Sequence, residues 1–141
     1  MLTITVIAAG KTSERWQDEA CDEYIKRLGA FCKFRLIQIK EGESAIPKLP
    51  AKAYKIALCV EGVELDSPGL ASLIDRTASL GISEIAFVIG GSDGLTEEEK
   101  AACDLRLSFS RLTFPHGMIR VFLLEQIYRA FTIIKGLKYH K

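Results

Sequence analysis

Three stretches of the chain carry side chains whose types and spacing suit chemistry. Gly90-Gly91-Ser92-Asp93-Gly94 directly follows the apolar run Ile85-Ala86-Phe87-Val88-Ile89. Glycines let a ligand approach the backbone closely, and freed N–H groups bind its polar atoms. The spacing is not that of a dinucleotide-binding G-x-G-x-x-G, and no P-loop Lys-Ser/Thr follows. A tight strand-to-helix turn therefore reads equally well. Phe109-Ser110-Arg111-Leu112-Thr113-Phe114-Pro115-His116 holds two aromatics, two hydroxyls and an arginine ahead of a long apolar segment. Such a wall suits a purine ring whose edge is read by backbone groups, and it equally suits core packing by Phe109 and Phe114. His116 falls beside a helix N-terminus, where the dipole disfavours an imidazolium, so it reads as a structural hydrogen-bonding group before a base. The ending Lys138-Tyr139-His140-Lys141 combines a proton acceptor, a stacking ring and cations, a set suited to RNA. An unstructured end is its plainer alternative.

The elements that must position these residues alternate. Leu2 to Ala8 is a β-rich run, and residues 12–28 form an amphipathic helix with Trp16, Ala20, Tyr24, Ile25 and Leu28 on its apolar face. Phe34 to Ile39 alternates like a half-buried edge strand. Residues 41–53 contain Pro47 and Pro50, which allow at most a short helix. Ile56 to Val60 reads as a strand buried on both faces, and Ser67-Pro68-Gly69 starts a helix with Ser67 as its cap. Leu70, Leu73, Ile74, Ala78 and Leu80 supply that helix's stripe. Thr96-Glu97-Glu98-Glu99 has the acidic first turn of another helix. A short strand around Leu105 to Leu107 precedes a last helix from Pro115 to about Ile134, apolar nearly all round. Such a helix must be covered on every side, which predicts a second copy of the chain on the side the sheet leaves open.

This order predicts an α/β fold, a single domain over 1–141 with a mainly parallel sheet and helices on both faces. Ligands in such folds bind beyond the carboxyl ends of the strands, here the loops after Val60, Ile89 and Leu107.

Composition narrows the class. The chain of 141 residues is 48% hydrophobic and 26% charged, ordinary for a globular domain. No apolar run reaches the roughly 20 residues of a membrane span, and Met1 to Val6 lacks the pattern of a signal peptide. Cys21, Cys32, Cys59 and Cys103 form no C-x-x-C pair and have no histidine at ligand spacing, so reduced thiols and no metal are expected. These features together predict a cytoplasmic protein. Residues 106–141 hold seven basic groups against Glu125 alone, a net +6, while the first 105 carry a net −5. That asymmetry points weakly to a polyanion at the C-terminal end, against the commoner reading of a solvated face.

The run F-V-I-G-G-S-D-G-L, the block L-S-F-S-R-L-T-F-P-H, the helix R-V-F-L-L-E-Q-I-Y-R-A-F and the ending Y-H-K resemble the ribosomal large-subunit pseudouridine-N3 methyltransferase family. This is a minimal SPOUT enzyme, and the likeness covers nearly the whole chain. The resemblance implies a C-terminal deep trefoil knot, a homodimer, and S-adenosyl-L-methionine held by backbone groups of three loops. Carried onto this chain, those groups are Leu58, Gly90, and Phe109, Ser110, Arg111, Leu112, Thr113 and Phe114. It implies a pseudouridine of 23S rRNA on the assembled ribosome as substrate. The chain departs from the family in a shorter stretch between Ile39 and Lys55 and in Val63, where a lysine often follows the glycine.

For transfer to an imide nitrogen, His140 is the expected base, Tyr139 the stacking or orienting ring, and Arg120 a phosphate or anion contact. Alternatively, Arg120 or a backbone donor stabilises the anion while solvent takes the proton. Lys138, Lys141 and His116 are the expected RNA contacts. The rivals are a SPOUT enzyme acting on another RNA such as tRNA, a non-catalytic ribosome-associated RNA-binding module, and a Rossmann-type nucleotide enzyme.

Overall fold

The computed structural model describes every residue from Met1 to Lys141. Five strands and four helices follow one another as β1 (Thr3–Ala9), α1 (Arg15–Leu28), β2 (Lys33–Ile39), a 3-10 turn (Ile46–Lys48), β3 (Tyr54–Glu64), α2 (Ser67–Ser79), β4 (Glu84–Ile89), α3 (Glu97–Ala101), β5 (Leu105–Ser108) and α4 (His116–Ile134). All strand pairs are parallel, in the order β2-β1-β4-β3-β5. The carboxyl ends of β4, β3 and β5 are thus side by side, which brings the three loops expected from the sequence to one edge of the sheet.

Strand alternation sorts the apolar side chains onto two faces. Ile4, Val6, Ala8, Ile56, Ile85, Phe87 and Leu107 face a core shared with α1, α2 and α4. Ile7, Ala9, Ile39 and Val88 face a smaller cluster closed by Ala45 and Leu49 near the 3-10 turn and by Leu95 and Cys103 flanking α3. Helices lie on both faces, but unequally: the three long ones share one face, and the other has only short pieces.

Several local expectations are corrected. The buried line of α1 is Gln17, Cys21 and Leu28, while Trp16 is 53% exposed. Tyr24, Ile25 and Leu28 pack on the core as expected, and only in the first turn does Gln17 take the inner place of Trp16, its Oε1 accepting as a cap from Ser13 N and Glu14 N at 3.1 and 3.2 Å. The cap of α2 is Asp66, whose Oδ1 accepts from Gly69 N at 2.7 Å, not Ser67. Ser67 Oγ instead donates to Gln126 Oε1 at 2.7 Å and ties α2 to α4. Thr77 takes the buried place expected for Ala78, and Leu80 ends the helix in solvent. The acidic start of α3 is a full capping box between Thr96 and Glu99. Glu99 Oε2 also accepts from Ala45 N at 2.8 Å, which anchors the proline-containing stretch to α3.

The largest correction concerns α4. It lies between α1 and α2, so its all-round apolar character is met mostly within one chain. Leu123, Leu124 and Ile127 are fully buried, and only an outer strip with Phe122, 38% exposed, is left open. No helix is long and apolar enough to cross a membrane.

Candidate active site

At the carboxyl edge of the sheet a cleft of about 700 Å³ opens between three segments: Leu58 to Glu61, Ile89 to Leu95, and Phe109 to His116. Its size falls within the range of small-molecule sites. Leu58, Gly90, Phe109, Ser110, Leu112, Thr113 and Phe114 all line it; of the expected cofactor residues only Arg111 does not, its side chain lying in solvent.

The first wall is not a simple loop. β3 continues past Val60 to Glu64, and both Leu58 and Val63 pair with Leu107 of β5, so the residues between them are extruded as a bulge. Gly62 makes the bulge feasible, since a Cβ there would sit 2.6 Å from the Arg106 carbonyl carbon.

The second wall is the Gly90 turn, and the tight-turn reading of it holds. It is tight: Gly94 N donates to Gly91 O at 3.0 Å, and a Cβ on Gly90 would meet the Gly94 carbonyl carbon at 2.4 Å. It also presents its backbone to the cleft. Glu41, from the turn after β2, braces it from behind through Oε1, which accepts from Ser92 N at 2.9 Å. The third wall is shaped by hydroxyls: Ser108 Oγ donates to Ser110 O and Ser110 Oγ accepts from Leu112 N, both at 3.0 Å.

Apolar Leu58, Ile89, Leu107 and Phe109 surrounded by backbone amides and carbonyls form a donor set that fits an adenosyl group: a flat apolar slot whose edge is read by main chain. A charged pair stands at the mouth. Lys100 Nζ lies 2.5 Å from Glu61 Oε1, and this bond holds the Glu61 carboxyl below its usual value and raises Lys100. Cys59 lines the cleft too, its thiol pushed up by burial and then by Glu61. Glu61, Lys100 and Glu41 were missed in the sequence. Glu61 at the end of an apolar strand was the one readable signal.

The other expected residues lie elsewhere. His116 reaches the cleft wall, but its Nε2 is 2.9 Å from the Lys11 carbonyl and must donate there, as a structural group does. Arg120 is 3% exposed, and Nη2 donates to Gly10 O at 3.0 Å while Nε has no partner. Burial pulls its guanidinium below the usual value. Within one chain the guanidinium is enclosed and turned to main chain, whereas the sequence led us to expect a phosphate or anion contact. Lys138 and Lys141 are exposed and unpaired.

The tail is ordered against α4. Tyr139 Oη donates to Glu125 Oε2 at 2.7 Å, and its ring lies edge-on to Tyr128 at 4.8 Å. Arg129 Nη2 reaches the same Glu125 oxygen at 2.7 Å, and the guanidinium lies over the Tyr139 ring at 4.8 Å. Burial first, and then the bond to Glu125, raise the Tyr139 phenol well above its ordinary value. Neither Tyr139 nor His140 lines the cleft of its own chain.

A second cleft of about 440 Å³ runs beside the first and includes Leu65, Ser67, Phe122, Glu125 and Gln126. Leu107, Phe109 and Phe114 belong to both, as a shared wall.

The fold agrees with comparisons with known proteins. Residues 2–140 match the family model described as "Predicted SPOUT methyltransferase". The chain is 40% identical over 159 residues to "Ribosomal RNA large subunit methyltransferase H" of Shouchella clausii (strain KSM-K16), covering 99% of this chain and all of that protein. The protein of the same name from Limosilactobacillus reuteri (strain DSM 20016) is 39% identical with the same coverage. Among solved structures, a probable methyltransferase from Bordetella pertussis Tohama I superposes with a TM-score of 0.63 at 13% identity, over 91% of this chain and 93% of that one. A putative methyltransferase from Legionella pneumophila, solved with its cofactor SAM bound, gives 0.51 at 13% identity, over 92% and 66%. The chain belongs to the SPOUT methyltransferase family.

Proposed function

We propose that this protein transfers a methyl group from S-adenosyl-L-methionine to N3 of a pseudouridine in 23S rRNA, acting in the cytoplasm on the assembled ribosome as a homodimer. The observation that carries the reading is the convergence of seven expected residues from three loops on one adenosyl-sized cleft. The names of the full-length relatives, rRNA large subunit methyltransferases, support the RNA class.

When bound, S-adenosylmethionine supplies a methyl group on a sulfonium, already activated for transfer. The chain's own work is positioning. Leu58, Ile89, Leu107 and Phe109 exclude water around the adenine, and the Gly90 turn and the Phe109–Phe114 backbone read its edge. The path from β5 to α4 crosses the carboxyl ends of β3 and β4 and is fastened beside β1 by His116 to Lys11 O and Arg120 to Gly10 O. That crossing supports a threaded, knotted C-terminal segment.

Homodimerisation rests on the second cleft. It is an open apolar groove along the outer strip of α4, and it shares a wall with the cofactor cleft. A second copy seated there would carry its own tail, with Tyr139, His140, Lys138 and Lys141, to the mouth of the first protomer's cleft. The tail's placement away from the cleft of its own chain favours this arrangement.

The test is to incubate the purified protein with methyl-labelled S-adenosylmethionine and, separately, intact ribosomes, protein-free 23S rRNA and tRNA. Mass spectrometry of the nucleosides should find N3-methylpseudouridine from ribosomes. Label confined to tRNA, or in no RNA at all, would refute the assignment.

A further inference from the structure

We propose that His140 meets the target base as a hydrogen-bond donor through its Nε2–H, with its tautomer set by Arg129, and that the imide proton leaves to water. This rests on the reaction proposed above and assigns the roles of two residues within it.

Arg129 Nη1 lies 3.1 Å from His140 Nδ1. A guanidinium has only donors, so Nδ1 must be the acceptor, and the proton of the neutral ring sits on Nε2. Protonating Nδ1 would set two donors face to face. The only basic nitrogen of His140 is therefore committed within the protein, and the edge left for a substrate carries hydrogen.

Arg129 is well held for this task. Its Nη2 and Nε reach the two oxygens of Glu125 at 2.7 and 3.4 Å, a forked pair in which both side chains are mostly covered. Tyr139 closes the set by lying under the guanidinium and donating to Glu125 at 2.7 Å. The charged and titratable groups around the tail are Glu125, Tyr128 and Arg129 of α4, Tyr24, Arg27 and its partner Glu23 of α1, and the neighbouring Lys138 and Lys141. Glu125, the carboxylate in contact with this set, is occupied by both Arg129 and Tyr139, and Glu23 is paired with Arg27.

The chemistry suits a donor. N3 of a pseudouridine lies between two carbonyls, which share the negative charge when the nitrogen loses its proton. A neutral N–H aimed at one of those oxygens stabilises that anion. The N3 proton passes to water, the N3 electron pair forms the new N–C bond, and the sulfur–methyl bond breaks with its pair staying on sulfur as a thioether. Arg129 is a positioning residue in this scheme, and His140 is the group that touches the base.

Two measurements test the assignment on the full-length protein. Single-turnover methyl transfer to ribosomes is followed from pH 6 to 10 for the wild type, His140→Gln and His140→Ala, each first checked for an unchanged melting temperature and cofactor affinity. The glutamine amide keeps a donor near the Nε2 position, so His140→Gln should remain within about tenfold of wild type, whereas His140→Ala should lose about 100-fold. The wild-type rate should climb steadily with pH toward the range where the imide ionises. Equal loss in both variants, or a break in the wild-type profile that disappears in His140→Gln, would overturn the proposal. The second measurement is nitrogen NMR of the His140 ring without RNA, which should show an unprotonated Nδ1 that becomes mixed in Arg129→Gln. An Nδ1–H tautomer would overturn the proposal even if ribosomes are methylated. Ribosomes left unmethylated by the wild type would refute the proposed reaction while the ring spectrum still reports on the tautomer.

Discussion

The guanidinium of Arg120, near the start of α4, donates to the carbonyl of Gly10 at the end of β1, 3.0 Å away and out of contact with solvent. Gln38 Nε2 donates to the same oxygen at 3.0 Å. Three elements distant in sequence are thereby joined at one atom, beside the cofactor cleft.

Its burial and its bond to Gly10 predict a structural role for Arg120. Arg120→Met should lower unfolding free energy by about 2 kcal/mol, the scale of a buried charged hydrogen bond lost. A urea titration measures this. Cofactor affinity should change less than about threefold. Unchanged stability with methyl transfer abolished would return Arg120 to the chemistry.

Gly90→Ala tests the second wall. The new Cβ would meet backbone, the Gly94 carbonyl carbon at 2.4 Å and Leu95 N at 2.6 Å, so the turn itself must open. Calorimetry should find S-adenosylmethionine affinity reduced at least about tenfold, a cost of roughly 1.4 kcal/mol. Native affinity in this variant would mean the turn does not shape the site.

Tyr139→Phe removes only the bond to Glu125. A hydrogen bond to a charged group is worth about 1.5–3 kcal/mol, so a loosened tail should slow transfer about tenfold or more. Cofactor affinity should hold, because the tail does not line the cleft of its own chain. Loss of cofactor binding would show that the tail shapes the cofactor cleft.

The thiols give a pH signature. Burial pushes Cys21, Cys32 and Cys103 up to about 11. An unfolded thiol ionises at about 8.5, so above that pH the unfolded chain releases protons that the folded chain retains. The thiols' contribution is complete below about pH 8.5 and is lost as pH rises toward about 11. Denaturant midpoints should fall over that window, and Cys32→Ala should make the fall shallower by at most about 3 kcal/mol. An identical slope in the variant would contradict this.

Much of this architecture is legible in the sequence. The apolar run Ile85–Ile89 entering a glycine turn, and the capping box from Thr96 to Glu99, are local signals that hold whatever packs around them. The three-loop cleft followed because apolar strands name their own carboxyl ends. What could not be read depends on contacts distant in sequence. Trp16 is exposed because Gln17 turns inward as the cap of α1. The bulge that makes Leu58 and Val63 share Leu107 needs β5 alongside. The apolar girth of α4 predicted a second copy, yet α1 and α2 cover most of it. Glu41 reaches the Gly90 turn across 51 residues of sequence, and no local pattern announces it.

In the proposed reaction three strand ends close around one adenosyl group. Hydrogen exchange with and without S-adenosylmethionine reads this closure. Exchange should slow in residues 58–61, 90–95 and 109–116 together, with one cofactor bound per chain. Protection confined to one of these segments, or located elsewhere in the chain, would contradict it.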